Sequence, residues 1–195
     1  MQLLIVIVAY ILGNFSPSYV IGRLSANIDI RNYGSGNAGT TNVMRTLGYK
    51  AAVFTLLLDC FKGVLAVYIA KRFGSENLAM VAGIVVVLGH NWPVLLKFKG
   101  GKGIATTIGV ALSIHPVVAS ICIFVGIILL IIFKYVSLSS IVAITLLPII
   151  LFFQDLNYFI FGLVLCLMAL YRHKENMQRL LNGTEKKFTE KLKVK

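Results

Sequence analysis

The stretch VVASICIFVGIILLIIF, residues Val117–Phe133, contains no charged side chain. A helix crosses the hydrocarbon core of a bilayer with about 20 predominantly apolar residues, so this run is close to the required length. Six similar runs lie along the chain between short polar breaks, at about Leu3–Ile21, Tyr49–Ala70, Leu78–Leu96, Ile104–Ile114, Leu138–Phe153 and Tyr158–Leu170. We therefore predict an all-α integral membrane protein with seven transmembrane helices in one domain, residues 1–195.

The composition favours a membrane protein over a soluble one. Of the 195 residues, 58% are hydrophobic and 13% are charged, whereas soluble domains carry about 25% charged residues. The net charge of +12 does not indicate nucleic-acid binding, because the basic residues lie in short loops between apolar runs. Cys60, Cys122 and Cys166 lie inside apolar runs without metal-binding spacing, so we expect neither a disulfide framework nor a metal site.

The distribution of basic residues predicts the topology. Seven spans place the termini on opposite sides. In chain order Val117–Phe133 is the fifth run, and the loops after the first, third and fifth runs then share one side with the C-terminus. That side holds all nineteen Lys and Arg residues except Lys62, Lys71 and Arg72. By the positive-inside rule, the N-terminus lies outside and the C-terminus, with a basic tail over about residues 182–195, is cytoplasmic. The run Ile104–Ile114 is too short to cross unless it is broken or partly buried.

The first polar motif, Gly34-Ser-Gly-Asn-Ala-Gly-Thr-Thr-Asn42, is followed three residues later by Arg45. Glycines let backbone N–H groups point at one spot, hydroxyl groups add donors, and a guanidinium can bind two phosphate oxygens. The pattern indicates a phosphate site in a polar loop of about Leu24–Gly48. Its match to the dinucleotide-binding pattern G-x-G-x-x-G is weak, since no buried strand precedes it and no acidic residue follows at the required distance. Ordinary turn chemistry in a flexible loop is the alternative.

The second polar motif begins with Gly89-His-Asn-Trp-Pro93 and continues through Lys97-Phe-Lys-Gly-Gly-Lys-Gly103. Glycines at the start of a helix leave its N–H groups open to a phosphate, and Thr106 and Thr107 fall in the first turns of the following helix. The lysines can also act only as topology signals. His90 is either a candidate acid or base, or a cap at the end of the third run.

The third polar motif, His173-Lys-Glu-Asn176 with Arg179, follows the last apolar run. On a helix, His173 and Asn176 share one face at a spacing of three residues, and Glu175 can pair with Arg179 at a spacing of four. We expect His173 and Asn176 to point at the site while the ion pair fixes the helix. His173 and Glu175 are further candidates for proton transfer.

Charged and polar residues also interrupt two of the apolar runs. Asp59 and Lys62 share one helical face, and they must contact protein or water because an ion in lipid is costly. A structural ion pair and a role in binding or proton transfer both remain open for them. Asn14, Ser16 and Pro17 interrupt the first run, which suits a helix end that lines a polar cavity.

The three motifs predict a membrane enzyme that collects phosphate groups on its cytoplasmic face, with a water-soluble phosphate as acceptor and an acyl chain drawn from the bilayer. No Asp follows a His at the spacing H-x-x-x-x-D, and no Ser-His-Asp set appears, which disfavours a poorly activated donor such as acyl-CoA. An organic-phosphate transporter is the alternative. Transporters usually carry internal repeats with matched broken helices, and here all polar clusters lie on one face.

In this order, the three motifs closely resemble those of the bacterial PlsY family of acyl-phosphate-dependent glycerol-3-phosphate acyltransferases. The resemblance covers essentially the whole chain and includes the segment Asp59-x-x-Lys62-Gly63. It implies transfer of an acyl group from acyl phosphate to the 1-hydroxyl of sn-glycerol 3-phosphate, giving lysophosphatidate and phosphate in the first acylation step of bacterial phospholipid synthesis. We expect a monomer in the bacterial cytoplasmic (inner) membrane, in contact with lipid and with its active site on the cytoplasmic face. We expect no cofactor and no nucleic-acid partner.

The resemblance also implies roles for individual residues. The candidate catalytic residues are Ser35, Arg45, His90, Lys102, His173, Glu175 and Asn176. The candidate substrate-binding residues are Gly36, Asn37, Gly39, Thr40, Thr41, Asn42, Asn91, Lys97, Lys99, Gly100, Gly101, Gly103, Thr106 and Arg179.

The two substrates are expected to occupy different motifs. Ser35, Gly36, Thr40 and Thr41 would hold the phosphate of the acyl phosphate. The glycines of the second motif, with Arg45 and Lys102, would hold glycerol 3-phosphate, while His173 and Asn176 orient it. The two phosphate assignments are interchangeable on the sequence. The donor's own phosphate would accept the proton, with His90, His173 or Glu175 as protein alternatives.

Overall fold

The structure, a computed structural model, describes residues 1–188, and the regular elements in this range are all helical. The tail residues Lys191, Lys193 and Lys195, which contribute to the predicted topology, lie outside it. The helices are α1 Gln2–Asn14, α2 Pro17–Ala26, α3 Thr40–Leu47, α4 Tyr49–Phe73, α5 Glu76–Asn91, α6 Ile104–Ile114, α7 Pro116–Phe133, α8 Val136–Leu151, α9 Leu156–Arg172 and α10 Lys174–Leu181. The all-α prediction is confirmed: the first run coincides with α1 and α2 together, the third with α5 and the short 3-10 helix Val94–Leu96, and each other run with one helix.

Several helices are suited to a bilayer. Gln2–Ala26, Tyr49–Phe73, Glu76–Leu96 and Pro116–Phe133 are each long and apolar enough to cross. The pair α9 and α10, bent by 62° at its junction, makes a fifth candidate if it is counted as one span. Helices α6 and α8 are apolar but shorter. Large apolar side chains on the outer surface, such as Ile131 with 69% of its surface exposed, suit contact with lipid.

The first run breaks where its polar residues predict. Helix α1 ends at Asn14, and α2 begins at Pro17, because proline suits the first position of a helix and cannot continue one. A cavity of about 220 Å³ opens at this break and is lined by Asn14 and Ser16 together with Tyr19, Val20, Leu95 and Leu96. The break within the first run is therefore present, and a polar cavity at the end of that run stays a prediction.

The predicted loop Leu24–Gly48 contains a helix that the sequence did not reveal. Helix α3, Thr40–Leu47, starts with residues of low helix propensity and lacks a long apolar stripe. It is stabilised by tertiary packing, because Val43 is fully buried in a small separate core with Ile30 and Ala52. Consequently Thr40 and Thr41 lie in the first turn of a helix.

The main core forms where α1 and the helices from α4 to α9 pack together. Glycine permits two of these contacts to be very close. A Cβ atom on Gly13 of α1 would lie 2.3 Å from the Val86 carbonyl oxygen of α5, and one on Gly63 of α4 would lie 2.4 Å from the Thr106 carbonyl oxygen of α6. Small residues at helix contacts are characteristic of membrane bundles, where close backbone packing replaces the hydrophobic effect.

Candidate active site

The site lies where several helix ends and loops meet. Lys102, in the loop before α6, donates a hydrogen bond through its Nζ to Oδ1 of Asn176 on α10. The Asn176 Nδ2 donates to Oε1 of Glu185 at 2.6 Å, and the Ser137 hydroxyl of α8 donates to the same oxygen at 2.7 Å. The Arg179 Nε donates to the other Glu185 oxygen at 2.7 Å. We call these five residues the Lys102 cluster.

The Lys102 cluster is a partly buried, cation-rich environment. Burial, followed by the positive charges of Arg179 and Arg172, lowers the pKa of Lys102 to about 8, although Glu185 acts against this change. Burial by itself raises the pKa of Glu185, but hydrogen bonds from Ser137, Arg179 and Asn176 lower it below its ordinary value. The cluster therefore contains a readily titrated cation beside a carboxylate that stays ionised at neutral pH.

The first motif forms a turn against the start of α3. Gly34 and Gly36 have positive φ angles of 61° and 71°, which glycine adopts without strain. The Asn42 side chain fixes this turn: its Oδ1 accepts from the Ser35 N–H at 2.9 Å, and its Nδ2 donates to the carbonyl oxygens of Ile30 and Tyr33, each at 3.0 Å. The contacts of Asn42 are thus with the backbone of the motif and of the segment just before it.

The remaining residues of the first motif face different surroundings. Ser35 and Gly36 are exposed, and Asn37, Gly39 and Thr41 are partly exposed. The Thr40 hydroxyl is buried and has no hydrogen-bond partner within residues 1–188. Arg45 reaches toward the Lys102 cluster, because its Nη2 donates to the carbonyl oxygen of Lys186, next to Glu185, at 3.1 Å.

The glycines of the second motif pack against their surroundings. Gly101 contacts the first motif, since a Cβ atom there would lie 2.8 Å from the Ala38 carbonyl oxygen. Gly103 caps α6 with a φ of 83°, and a Cβ atom there would lie 2.9 Å from Oδ1 of Asn91. Arg172, at the end of α9, donates to the carbonyl oxygens of Gly101 at 2.9 Å and Gly100 at 3.1 Å. All three motifs are therefore in contact.

Three titratable residues, one of them from the second motif, form a second buried group. The predicted pair of Asp59 and Lys62 is present, with an N–O distance of 2.8 Å, and His90 joins it. The His90 Nδ1 lies 2.8 Å from the Lys62 Nζ and 3.2 Å from Oδ1 of Asp59. The Lys62 Nζ also donates to the carbonyl oxygens of Gly13 at 3.2 Å and Phe15 at 2.7 Å, at the α1–α2 break. These contacts favour the structural alternative for Asp59 and Lys62.

The other predicted residues divide between buried and exposed positions. His173 is buried beside Asn176, and its Nδ1 contacts the Ala169 carbonyl oxygen at 2.7 Å. Asn91 and Thr106 are fully buried, with polar side-chain atoms that lack partners within the described residues. Lys97 and Lys99 are exposed, and so is Glu175, whose side chain is 74% exposed and lies 3.8 Å from Arg179.

Sequence reasoning did not find Ser137, Arg172 and Glu185. The tail from Asn182 onward carried no recognisable motif, yet Glu185 receives three side-chain hydrogen bonds there. The one feature of the sequence that could have indicated Glu185 is that it is an acidic residue next to basic ones. Ser137 lies within an apolar run and gives no signal of its own, and Arg172 matches an ordinary basic residue at a helix end.

Over the described residues 1–188, fold and site together define an all-helical membrane protein with a partly buried, cation-rich cluster at one end of its helices. A family model described as glycerol-3-phosphate acyltransferase matches residues 3–183. A glycerol-3-phosphate acyltransferase of Alkaliphilus metalliredigens is 61% identical over 193 residues, which are 99% of each protein. One from a Thermoanaerobacter species is 49% identical, covering 97% of this chain and 96% of its own length.

A solved structure gives the same result. The crystal structure of PlsY, an integral membrane glycerol 3-phosphate acyltransferase in its glycerol 3-phosphate form, matches with a TM-score of 0.90 and 41% identity. The match covers 95% of this chain and 94% of that one. The chain belongs to the glycerol-3-phosphate acyltransferase family, which confirms the resemblance found in its motifs. It is a membrane acyltransferase, so the transporter alternative is not supported.

Proposed function

We propose that the chain transfers an acyl group from acyl phosphate to the 1-hydroxyl of sn-glycerol 3-phosphate and releases lysophosphatidate and inorganic phosphate. Residues 1–195 would form a single acyltransferase domain. The observation that carries the proposal is the convergence of Lys102, Asn176 and Arg179 from two distant motifs. A partly buried lysine with a lowered pKa gains a counter-charge when an anion binds, which favours a phosphate ligand.

We assign the two phosphates to different groups of residues. Arg45, Lys102 and Arg179 would hold glycerol 3-phosphate, with His173 and Asn176 orienting it. The hydroxyl of Thr40, which has no partner within residues 1–188, is available to the acyl phosphate, together with the exposed Ser35 and Gly36. Asn37, Gly39 and Thr41 would line the same turn, whose shape Asn42 maintains.

The proposed reaction balances without a protein nucleophile. The 1-hydroxyl oxygen attacks the acyl carbonyl carbon, the bond from that carbon to the phosphate oxygen breaks, and the hydroxyl proton passes to the departing phosphate. Acyl phosphate carries a good leaving group, so orientation and charge stabilisation supply much of the catalysis. Proton removal by the donor's own phosphate fits the positions of two protein alternatives. The His90 Nδ1 already contacts the buried Lys62, and Glu175 is exposed.

The arrangement of the loops supports seven crossings with the termini on opposite sides. The Arg31 Nη1 donates to the Leu96 carbonyl oxygen at 2.8 Å, so the loops after α2 and α5 adjoin. The Phe188 N–H donates to the Lys134 carbonyl oxygen at 2.9 Å, so the loop after α7 adjoins the tail. In this proposed topology the chain would leave this face with α4, α6 and α8 and return to it with α5, α7 and α9.

The basic residues of this face would make it cytoplasmic, with the N-terminus outside and the enzyme in the bacterial inner membrane. We propose that the enzyme works as a monomer surrounded by lipid, since the Lys102 cluster is assembled from residues of a single chain.

The experiment is phosphate release by the purified protein in detergent, given palmitoyl phosphate with and without glycerol 3-phosphate. Palmitoyl-CoA serves as the control donor. We expect release that requires both substrates, with lysophosphatidate appearing in equal amount. Activity with palmitoyl-CoA alone would overturn the donor assignment, and no transfer by a folded protein would overturn the reaction.

The assignment of Arg45 has its own test. Replacing Arg45 by Ala removes one charge-assisted phosphate contact, which is worth about 1.5–3 kcal/mol, or roughly 10- to 150-fold in apparent affinity. We expect the KM for glycerol 3-phosphate to rise by this factor while the KM for palmitoyl phosphate changes little. The reverse pattern would exchange the two phosphate positions.

A further inference from the structure

Arg172 binds the backbone of the second motif through two donors. Its Nε donates to the Gly101 carbonyl oxygen at 2.9 Å and its Nη2 to the Gly100 carbonyl oxygen at 3.1 Å. The guanidinium carbon lies 5.6 Å from the ring centroid of Trp92, within range of a cation–π interaction. The planar fork of arginine matches two successive carbonyl groups, which a single ammonium group cannot do.

The same two glycines are confined from the opposite side by His90. The Gly101 N–H donates to the His90 carbonyl oxygen at 3.1 Å. A Cβ atom on Gly100 would lie 2.1 Å from that oxygen, and one on Gly101 would lie 2.0 Å from the His90 Nε2. His90 is itself held by the buried charges of Asp59 and Lys62. The segment is therefore clamped between α5 and α9.

The clamp determines the position of Lys102 directly. The Gly101 carbonyl oxygen belongs to the same planar peptide group as the Lys102 nitrogen, so fixing one end of this group fixes the other. From that position, the Lys102 side chain reaches Asn176. Without the two hydrogen bonds from Arg172, the Gly100–Gly101 backbone would regain conformational freedom, which is larger for glycine than for other residues.

We propose that Arg172 is a positioning residue, which holds the Gly100–Gly101 backbone so that Lys102 is presented to the phosphate of the acceptor. This proposal rests on the proposed function. Arg172 itself makes no contact with the substrate, and its effect on binding passes entirely through Lys102.

The test is a double-mutant cycle on the KM for glycerol 3-phosphate, with Arg172→Gln, Lys102→Gln and the combination. We expect Arg172→Gln to raise KM roughly 10-fold, as for the loss of one charge-assisted hydrogen bond, and no more than Lys102→Gln does. In the Lys102→Gln background, Arg172→Gln should change KM by less than about twofold, because coupled residues are not additive. If the KM of the double variant rose by the product of the two single fold-changes, Arg172 would act independently of Lys102 or bind the substrate directly, and the proposal would be overturned.

A second variant and a control keep the result interpretable. Arg172→Lys retains the charge but satisfies one carbonyl, so its KM should lie between those of the wild type and Arg172→Gln. It replaces Arg172→Gln in the cycle if that variant does not fold. If Arg172→Lys had the KM of the wild type, the two-donor contact of the guanidinium with the glycine carbonyls would not matter, and the proposal would be overturned. Arg72→Gln, the same substitution at the far end of α4, should leave KM unchanged. An inactive wild type would instead contradict the proposed function.

Discussion

Replacing Lys102 by Gln tests the site most directly, because Lys102 links the second and third motifs. The substitution removes one charge-assisted contact to the acceptor phosphate. Such a contact is worth about 1.5–3 kcal/mol, so the KM for glycerol 3-phosphate should rise roughly 10- to 150-fold. The KM for acyl phosphate should change much less.

The pH dependence of kcat/KM for glycerol 3-phosphate gives a second, independent test of Lys102. Lys102 has a pKa lowered to about 8, chiefly by burial, so it carries its charge below that pH and loses it above. A phosphate monoester ionises for the second time near pH 6, so the substrate charge is constant over this range. We expect kcat/KM for glycerol 3-phosphate to be level from about pH 7 to 8 and to fall by up to about tenfold per unit above it.

The assay is initial-rate phosphate release in detergent between pH 7 and 10, corrected for spontaneous hydrolysis of the acyl phosphate. In Lys102→Gln, the alkaline fall should disappear and the high KM should persist at every pH. Lys50→Gln is the matched control, because Lys50 is an exposed lysine at the start of α4 on the same face. A Lys102→Gln enzyme with KM within twofold of wild type, or with its alkaline fall retained, would refute the assignment.

Three further changes follow from the contacts of the site. Glu185→Gln removes a negative charge that raises the pKa of Lys102, so the alkaline fall of kcat/KM should begin at a lower pH in the same assay. Gly101→Ala introduces a Cβ atom 2.0 Å from an imidazole nitrogen, and overpacking of this kind should cost about 1–3 kcal/mol of stability and raise KM. Lys62→Met leaves Asp59, which is 1% exposed, without its counter-charge, and thermal unfolding in detergent should report a loss of about 3–5 kcal/mol. A second change, Asp59→Leu, should recover most of that loss.

Each of these outcomes can fail in a distinct way. A decline of kcat/KM at alkaline pH that does not move to lower pH in Glu185→Gln would mean that this carboxylate does not raise the pKa of Lys102. An unchanged unfolding midpoint in Gly101→Ala would mean that the glycine segment is not clamped. An additive loss on combining Lys62→Met with Asp59→Leu would contradict a buried ion pair.

The apolar runs predicted their helices closely because burial in lipid leaves the backbone no alternative partner for its hydrogen bonds. Ile104–Ile114 is the same in the sequence pattern and in the structure, and the break at Pro17 follows from the missing N–H of proline. Helix α3 shows the opposite case. Its residues have weak local preferences, and it exists because Val43 packs into a core built by residues distant in sequence.

The candidate site divides in the same way. Glycine, lysine and amide residues spaced for a phosphate indicated Lys102 and Asn176, because each motif contains its own chemistry within a few residues. The pairing of His90 with Asp59 and Lys62 was not predicted, since it joins two helices whose relative rotation no local pattern records.

By itself, the sequence determined the class of protein, the family and the three motifs, because lipid burial and phosphate chemistry act on neighbouring residues. Only the tertiary structure decided which residues surround Lys102. Ser137, Arg172 and Glu185 come from a helix start, a helix end and the tail, and each is an ordinary residue in its own segment. Their roles arise from contacts across 6 to 72 positions of the chain, and such contacts are set by how the helices pack.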